Sequence, residues 1–98
     1  MRLIRIRVYR TPKEVLVAAC DSGLLGRKLR DGELRLDVSS FYDGFEADRA
    51  ELVSYLRLAT IANLVGEEVV RIAVEEGFID ESCVLRVDGI PHAQMVLI

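Results

Sequence analysis

Tryptophan is absent from these 98 residues, and histidine, asparagine and glutamine occur once each, as His92, Asn63 and Gln94. Two cysteines, Cys20 and Cys83, are too few for the disulfide framework of a small secreted domain and lie at no Cys-x-x-Cys spacing. No apolar run approaches the ~20 residues that cross a bilayer. The first ten residues alternate arginine with isoleucine or valine, instead of showing a charged n-region followed by an apolar h-region. A cytoplasmic protein without a membrane span is expected. A positive charge balance is also missing: 13 Lys and Arg stand against 16 Asp and Glu, a net of -3. No overall field therefore draws the chain to nucleic acid or an anionic membrane, and any such binding has to be local. There is no internal repeat and no low-complexity stretch.

What is present suits one compact domain over residues 1–98, with 51% hydrophobic and 30% charged side chains. The scarcity of amides beside abundant Glu and Arg resembles the composition of proteins from hot environments, although eleven of the cations here are Arg and only two are Lys.

Along Leu3 to Tyr9, Ile4, Ile6 and Val8 alternate with Arg5, Arg7 and Tyr9, the period-2 mark of a half-buried strand. The turn residues Arg10-Thr11-Pro12-Lys13 lead to Val15–Cys20, a continuous apolar run. A hairpin is expected, its second strand covered on both faces. Gly23, Gly26 and Gly32 then punctuate a loop that turns more than once. Leu34, Leu36 and Val38 alternate with charged residues as a third strand, and residues 39–47 read as an irregular segment closing the core. Asp48 with Glu51 forms a capping-box start, and a helix follows with Leu52, Leu56 and Ala59 on one face. Helical spacing resumes through Ile61, Val65, Val69, Ile72 and Ala73 to a stop at Gly77, with Thr60–Val65 assignable to either helix. Cys83, Leu85 and Val87 then alternate core-ward, the turn Asp88-Gly89-Ile90-Pro91 closes a hairpin onto Ala93, Met95 and Leu97, and His92 and Gln94 share the opposite face. The resulting order, β-β-β-α-α-β-β, is an α+β fold: an antiparallel or mixed sheet with helices on one side.

Three constellations could carry chemistry. Gly23-Leu24-Leu25-Gly26-Arg27-Lys28 has the GxxG form, followed by cations, with which KH domains clamp a phosphate backbone. A KH loop joins two helices, however, whereas this one follows a strand and is flanked by Asp21 and Asp31, so a structural turn is favoured. Cys20 and Asp21 with His92 supply the thiol, carboxylate and imidazole of a nucleophilic site. A cysteine ending a buried strand is usually a small hydrophobe, and no oxyanion loop supports catalysis. Adding Cys83 completes a four-ligand metal set without the paired close spacing of zinc sites, so no metal or cofactor is expected. The third is a polar sheet face of Arg5, Arg7, Tyr9, Arg35, Arg86, His92 and Gln94, which could hold RNA. One aromatic there is fewer than an RNA-stacking sheet uses, and Glu33, Asp37 and Asp88 share the face, which favours a solvated surface laced with ion pairs. Val96 and Ile98 make the far end of that face apolar, and a homodimer through the C-terminal strand would cover it.

Cys20-Asp21 with Leu24-Leu25-Gly26, Gly32-Glu33, Phe41-Tyr42 with Gly44, Ala62-Asn63 with Gly66-Glu67 and Val70, and Gly89 to Gln94 resemble the short archaeal proteins known as domain of unknown function 424. The resemblance spans nearly the whole chain. It implies an archaeal cytoplasmic protein, and with it an expected link to translation or RNA metabolism, but it brings no activity. The leading expectation is a non-enzymatic module for RNA or a translation component, using Arg27, Lys28 and the face of Arg5, Arg7 and Tyr9. The rivals are a small hydrolase or transferase built on Cys20, Asp21 and His92, and a structural or protein-partner module.

Overall fold

The computed structural model describes residues 3–97. Strands β1 (Ile4–Arg10) and β2 (Val15–Asp21) form the expected antiparallel hairpin, and Thr11 ties its turn by accepting hydrogen bonds from the N-H groups of Lys13 and Glu14. Val17, Ala18, Ala19 and Cys20 are all fully buried, so β2 is covered on both faces. The chain then makes a 3-10 turn (Ser22–Leu24), a hairpin of β3 (Lys28–Asp31) with β4 (Leu34–Asp37), a second 3-10 turn (Ser40–Tyr42) and the short β5 (Phe45–Ala47). Helix α1 (Arg49–Leu58), β6 (Ile61–Val65), α2 (Glu67–Glu75), a 3-10 turn (Glu81–Cys83), β7 (Leu85–Val87) and β8 (Ile90–Val96) complete the α+β fold.

The strand order β5-β1-β2-β6-β8-β7 makes a mixed sheet whose one parallel pair is β2 with β6. Both helices pack on the face of Ile4, Ile6, Val17, Ala19, Ala62, Leu64, Ala93 and Met95, as expected. The opposite face is not simply solvated. Leu24, Leu29, Val38 and Tyr42 from the residue 22–42 excursion close a second core over Ala18, Cys20, Val65 and Val87.

Local signals landed where local chemistry is sufficient. Asp48 and Glu51 form the reciprocal capping box, with Glu51 N donating to Asp48 Oδ1 at 2.8 Å and Asp48 N to Glu51 Oε1 at 3.1 Å. Gly77 follows α2 at φ 82°, the left-handed conformation of a C-terminal cap. Asp88 and Gly89 have φ of 54° and 76° and form the whole two-residue loop between β7 and β8, the turn chemistry that Asp-Gly supplies.

Several expectations are corrected. Thr60–Val65 belongs to neither helix, because Ile61–Val65 is strand β6, inserted between β2 and β8. The expected third strand is β4, which pairs with β3 alone in a separate two-stranded sheet, and the irregular 39–47 segment ends in β5, paired with β1. Cys83 and Leu85 do not face the core: both are exposed, while Val84 packs against the helix-side cluster and Val87 is buried. Ile98 lies outside the described residues.

Candidate functional site

The registers decide which candidate residues meet. Cys20 lies opposite Val65, and Val65 opposite His92. Thiol and imidazole therefore share a sheet face but stand two strand spacings apart, about 10 Å at ~4.8 Å per strand, with Val65 between them. Asp21, the next residue in an extended strand, points to the other face. There its carboxylate caps α2, accepting from Glu68 N at 3.1 Å and Val69 N at 3.0 Å. The Cys20, Asp21 and His92 set is thus not assembled.

The cap explains Gly66. Helix α2 starts with glycine at φ 122°, ψ 154°, and has no capping side chain of its own, so a residue from β2 supplies the acceptor. A Cβ on Gly66 would lie 2.3 Å from Asp21 Cγ. Burial raises the Asp21 pKa above its ordinary 3.8, against the lowering by its two backbone donors. The Cys20 thiol is pushed to about 12, mainly by burial and then by the Asp21 charge, so it stays protonated at neutral pH. Burial likewise pushes the Tyr42 phenol to about 12.

The predicted cationic sheet face is largely consumed by the fold. Arg5 pairs with Asp43 and Glu46, each at 3.6 Å, and donates to the Gly44 carbonyl. Arg7 donates to the Ser40 carbonyl at 2.9 Å and lies 5.0 Å from the Tyr9 ring centroid. Tyr9 stacks on Phe41 at 5.1 Å and donates its hydroxyl to the Phe41 carbonyl. Together these side chains fasten the segment from Ser40 to Glu46 to β1. Arg35 lies on β4, away from the main sheet, and Arg86 points to the helix side, where it pairs with Glu67. On the uncovered remainder of the face, Gln94 donates to Asn63 Oδ1 at 2.7 Å, and His92 Nδ1 lies 2.9 Å from the Leu64 carbonyl oxygen.

The GxxG loop is a turn by its bonding. Leu25 N donates to Ser22 O, Gly26 N to Val38 O at 2.6 Å and Arg27 N to Leu24 O at 2.9 Å, so these N-H groups do not cradle an anion. The loop instead leads through Arg27 to Lys28, the first residue of β3. Lys28, Arg30 and Arg35 lie on the outer face of the β3–β4 hairpin, opposite buried Leu29 and half-buried Leu36. Arg30 and Arg35 are direct cross-strand partners. None of the four cations Arg27, Lys28, Arg30 and Arg35 has an ion pair with a described residue, in contrast to Arg49 and Arg71, which bridge Glu68, Glu75 and Glu76. The sequence signal for this patch was the short run of cations from Arg27 to Arg35, whose strand pairing was not legible.

Residues 9–98 match the family described as "Protein of unknown function (DUF424)". The chain belongs to the DUF424 family. Its fold is similar to a crystal structure of an uncharacterized conserved protein from Methanopyrus kandleri, with a TM-score of 0.80 at 24% identity over 94% of this chain and 89% of that one. At that identity the likeness bears on the fold of this DUF424 protein alone. No curated protein matches the sequence. Among the described residues, no helix is long and apolar enough to cross a membrane.

Proposed function

We propose that this DUF424 protein is a non-enzymatic binding module for single-stranded RNA in an archaeal cytoplasm, in the service of translation or RNA metabolism. Its contact surface is the outer face of the β3–β4 hairpin. The cross-strand pair Arg30 and Arg35 carries the reading. Like charges directly opposite one another destabilise a hairpin, and neither arginine has an ion pair with a described residue, with Asp37 the one carboxylate of β3 and β4 on their face. The pair therefore costs folding stability unless an anion arrives, and bound phosphate turns repulsion into chelation. Arg27 and Lys28 extend the patch along the ribbon. Cations two residues apart on a strand are about 6.8 Å apart, a spacing suited to successive phosphates of an extended single strand. Asp37 stands opposite Lys28 and limits the site to a few phosphates, so binding is weak and salt-sensitive, the logarithm of affinity falling with a slope of about 0.7 per neutralised phosphate.

Fluorescence anisotropy with short labelled single strands at low salt tests this. Arg35→Glu is expected to weaken binding at least tenfold while raising stability by roughly 0.2–1 kcal/mol through a new opposite-charge pair with Arg30. Arg57→Glu, on exposed α1, leaves binding nearly unchanged. Absence of binding to several homopolymeric RNAs at low salt would end the proposal.

Self-association through the C-terminal strand is a second reading, favoured by one observation. Strand β7 pairs with only residues 90–92 of β8, so the outer edge from Ala93 to Val96 faces no strand among the described residues, and Val96 and Leu97 are exposed. Sedimentation showing a monomer at all accessible concentrations would remove it.

A further inference from the structure

We propose that Cys83 and His92 together bind a soft, two-coordinate metal ion of the Cu(I) class. The two residues line one cavity of about 210 Å³ with Leu85, Ala93 and Gln94. The hairpin puts them there: His92 is the cross-strand partner of Leu85, and Cys83 ends the 3-10 turn that leads into β7 two residues before Leu85. Cys83 is a free, exposed thiol, unlike deeply buried Cys20.

The tautomer of the histidine is already fixed. Its Nδ1 lies 2.9 Å from the Leu64 carbonyl oxygen. A carbonyl can only accept, so Nδ1 carries the proton and Nε2 of the neutral ring keeps its lone pair. A backbone carbonyl holding the far N-H is how metal-binding histidines are usually fixed in tautomer and direction. That bond is independent of the cysteine and leaves Nε2 as the donor available to a metal.

The donor count selects the ion. Among the described residues no three His, Cys, Asp or Glu side chains are grouped to hold a metal, so zinc lacks the three or four protein ligands it takes. A d10 monovalent ion is satisfied by two roughly collinear donors, and thiolate with imidazole is a soft set that favours Cu(I). Gln94, the remaining polar side chain of the cavity, is bonded to Asn63, while Leu85 and Ala93 offer only apolar wall. Binding displaces the Cys83 thiol proton to solvent and forms one S-Cu and one N-Cu bond without change of oxidation state, so affinity rises with pH.

The test is an anaerobic titration of the full chain with Cu(I) against a chromophoric Cu(I) chelator, with X-ray absorption on the loaded protein. One ion per chain with two-coordinate sulfur and nitrogen ligation is expected. Cys83→Ser abolishes competition with the chelator, His92→Gln weakens it at least tenfold, and Cys20→Ala leaves it unchanged. Wild-type affinity in His92→Gln, binding retained in Cys83→Ser, or thiolate-bridged ligation between chains would each overturn the proposal. A readout that needs no variant is the ¹⁵N resonance of His92 Nε2, which shifts on adding Cu(I); an unmoved resonance is equally fatal.

Discussion

Gly66→Ala isolates the contact that joins β2 to the start of α2. At φ 122°, ψ 154°, Gly66 occupies a region of backbone space open essentially to glycine alone, and forcing alanine there costs about 1–3 kcal/mol. The added Cβ would also lie 2.3 Å from Cγ and 2.6 Å from both carboxylate oxygens of Asp21. Asp21 would have to withdraw from Glu68 N and Val69 N, and loss of a helix cap costs a further ~0.5–2 kcal/mol. The sum, about 1.5–5 kcal/mol, corresponds to a fall in Tm of roughly 6 °C or more for a domain of this size. Urea unfolding followed by circular dichroism measures it. Asp21→Ala alone should cost only the cap, about 0.5–2 kcal/mol. The double variant should fall short of additivity by about that same amount, because Gly66→Ala has already displaced the carboxylate. A Gly66→Ala protein within 0.5 kcal/mol of wild type, on the order of an ordinary surface substitution, or full additivity in the double variant, would refute the account of this junction.

Two further outcomes follow from the same environment. Asp21 has a folded pKa above its ordinary 3.8, so the folded state holds that proton more tightly than the unfolded chain; this contribution is full below 3.8 and is lost as pH rises through the raised value. Relative to Asp21→Asn, wild-type stability should therefore decline across that window, and a parallel pair of pH profiles would contradict it. With Cys20 buried and its pKa near 12, iodoacetamide at pH 8 should alkylate one thiol per native chain, Cys83, and both in denaturant; mass spectrometry finding native Cys20 labelled at a comparable rate would show that the second core opens.

The amino-acid sequence by itself determined the elements whose signals lie within a few residues of one another. The alternation of Ile4 to Val8, the reciprocal Asp48 and Glu51 cap, Gly77 after α2 and the Asp88-Gly89 turn are all set by local sterics and hydrogen bonding, and together they made the α+β class legible. Only the tertiary structure decided the rest. Ile61–Val65 carries apolar residues at spacings that fit a helix, and becomes a strand because β2 and β8 offer ladders on both of its edges. Arg5, Arg7 and Tyr9 read as a free binding face, but the returning 39–46 segment brings carbonyls and carboxylates within their reach. Asp21 adjoins Cys20 in the chain, yet the strand's alternation sends the two side chains to opposite cores, one to cap a helix 47 residues on and the other to lie buried behind Val65. Sequence adjacency set which residues are neighbours in the chain; strand pairing between distant segments decided that His92 shares a cavity with Cys83 and not with Cys20.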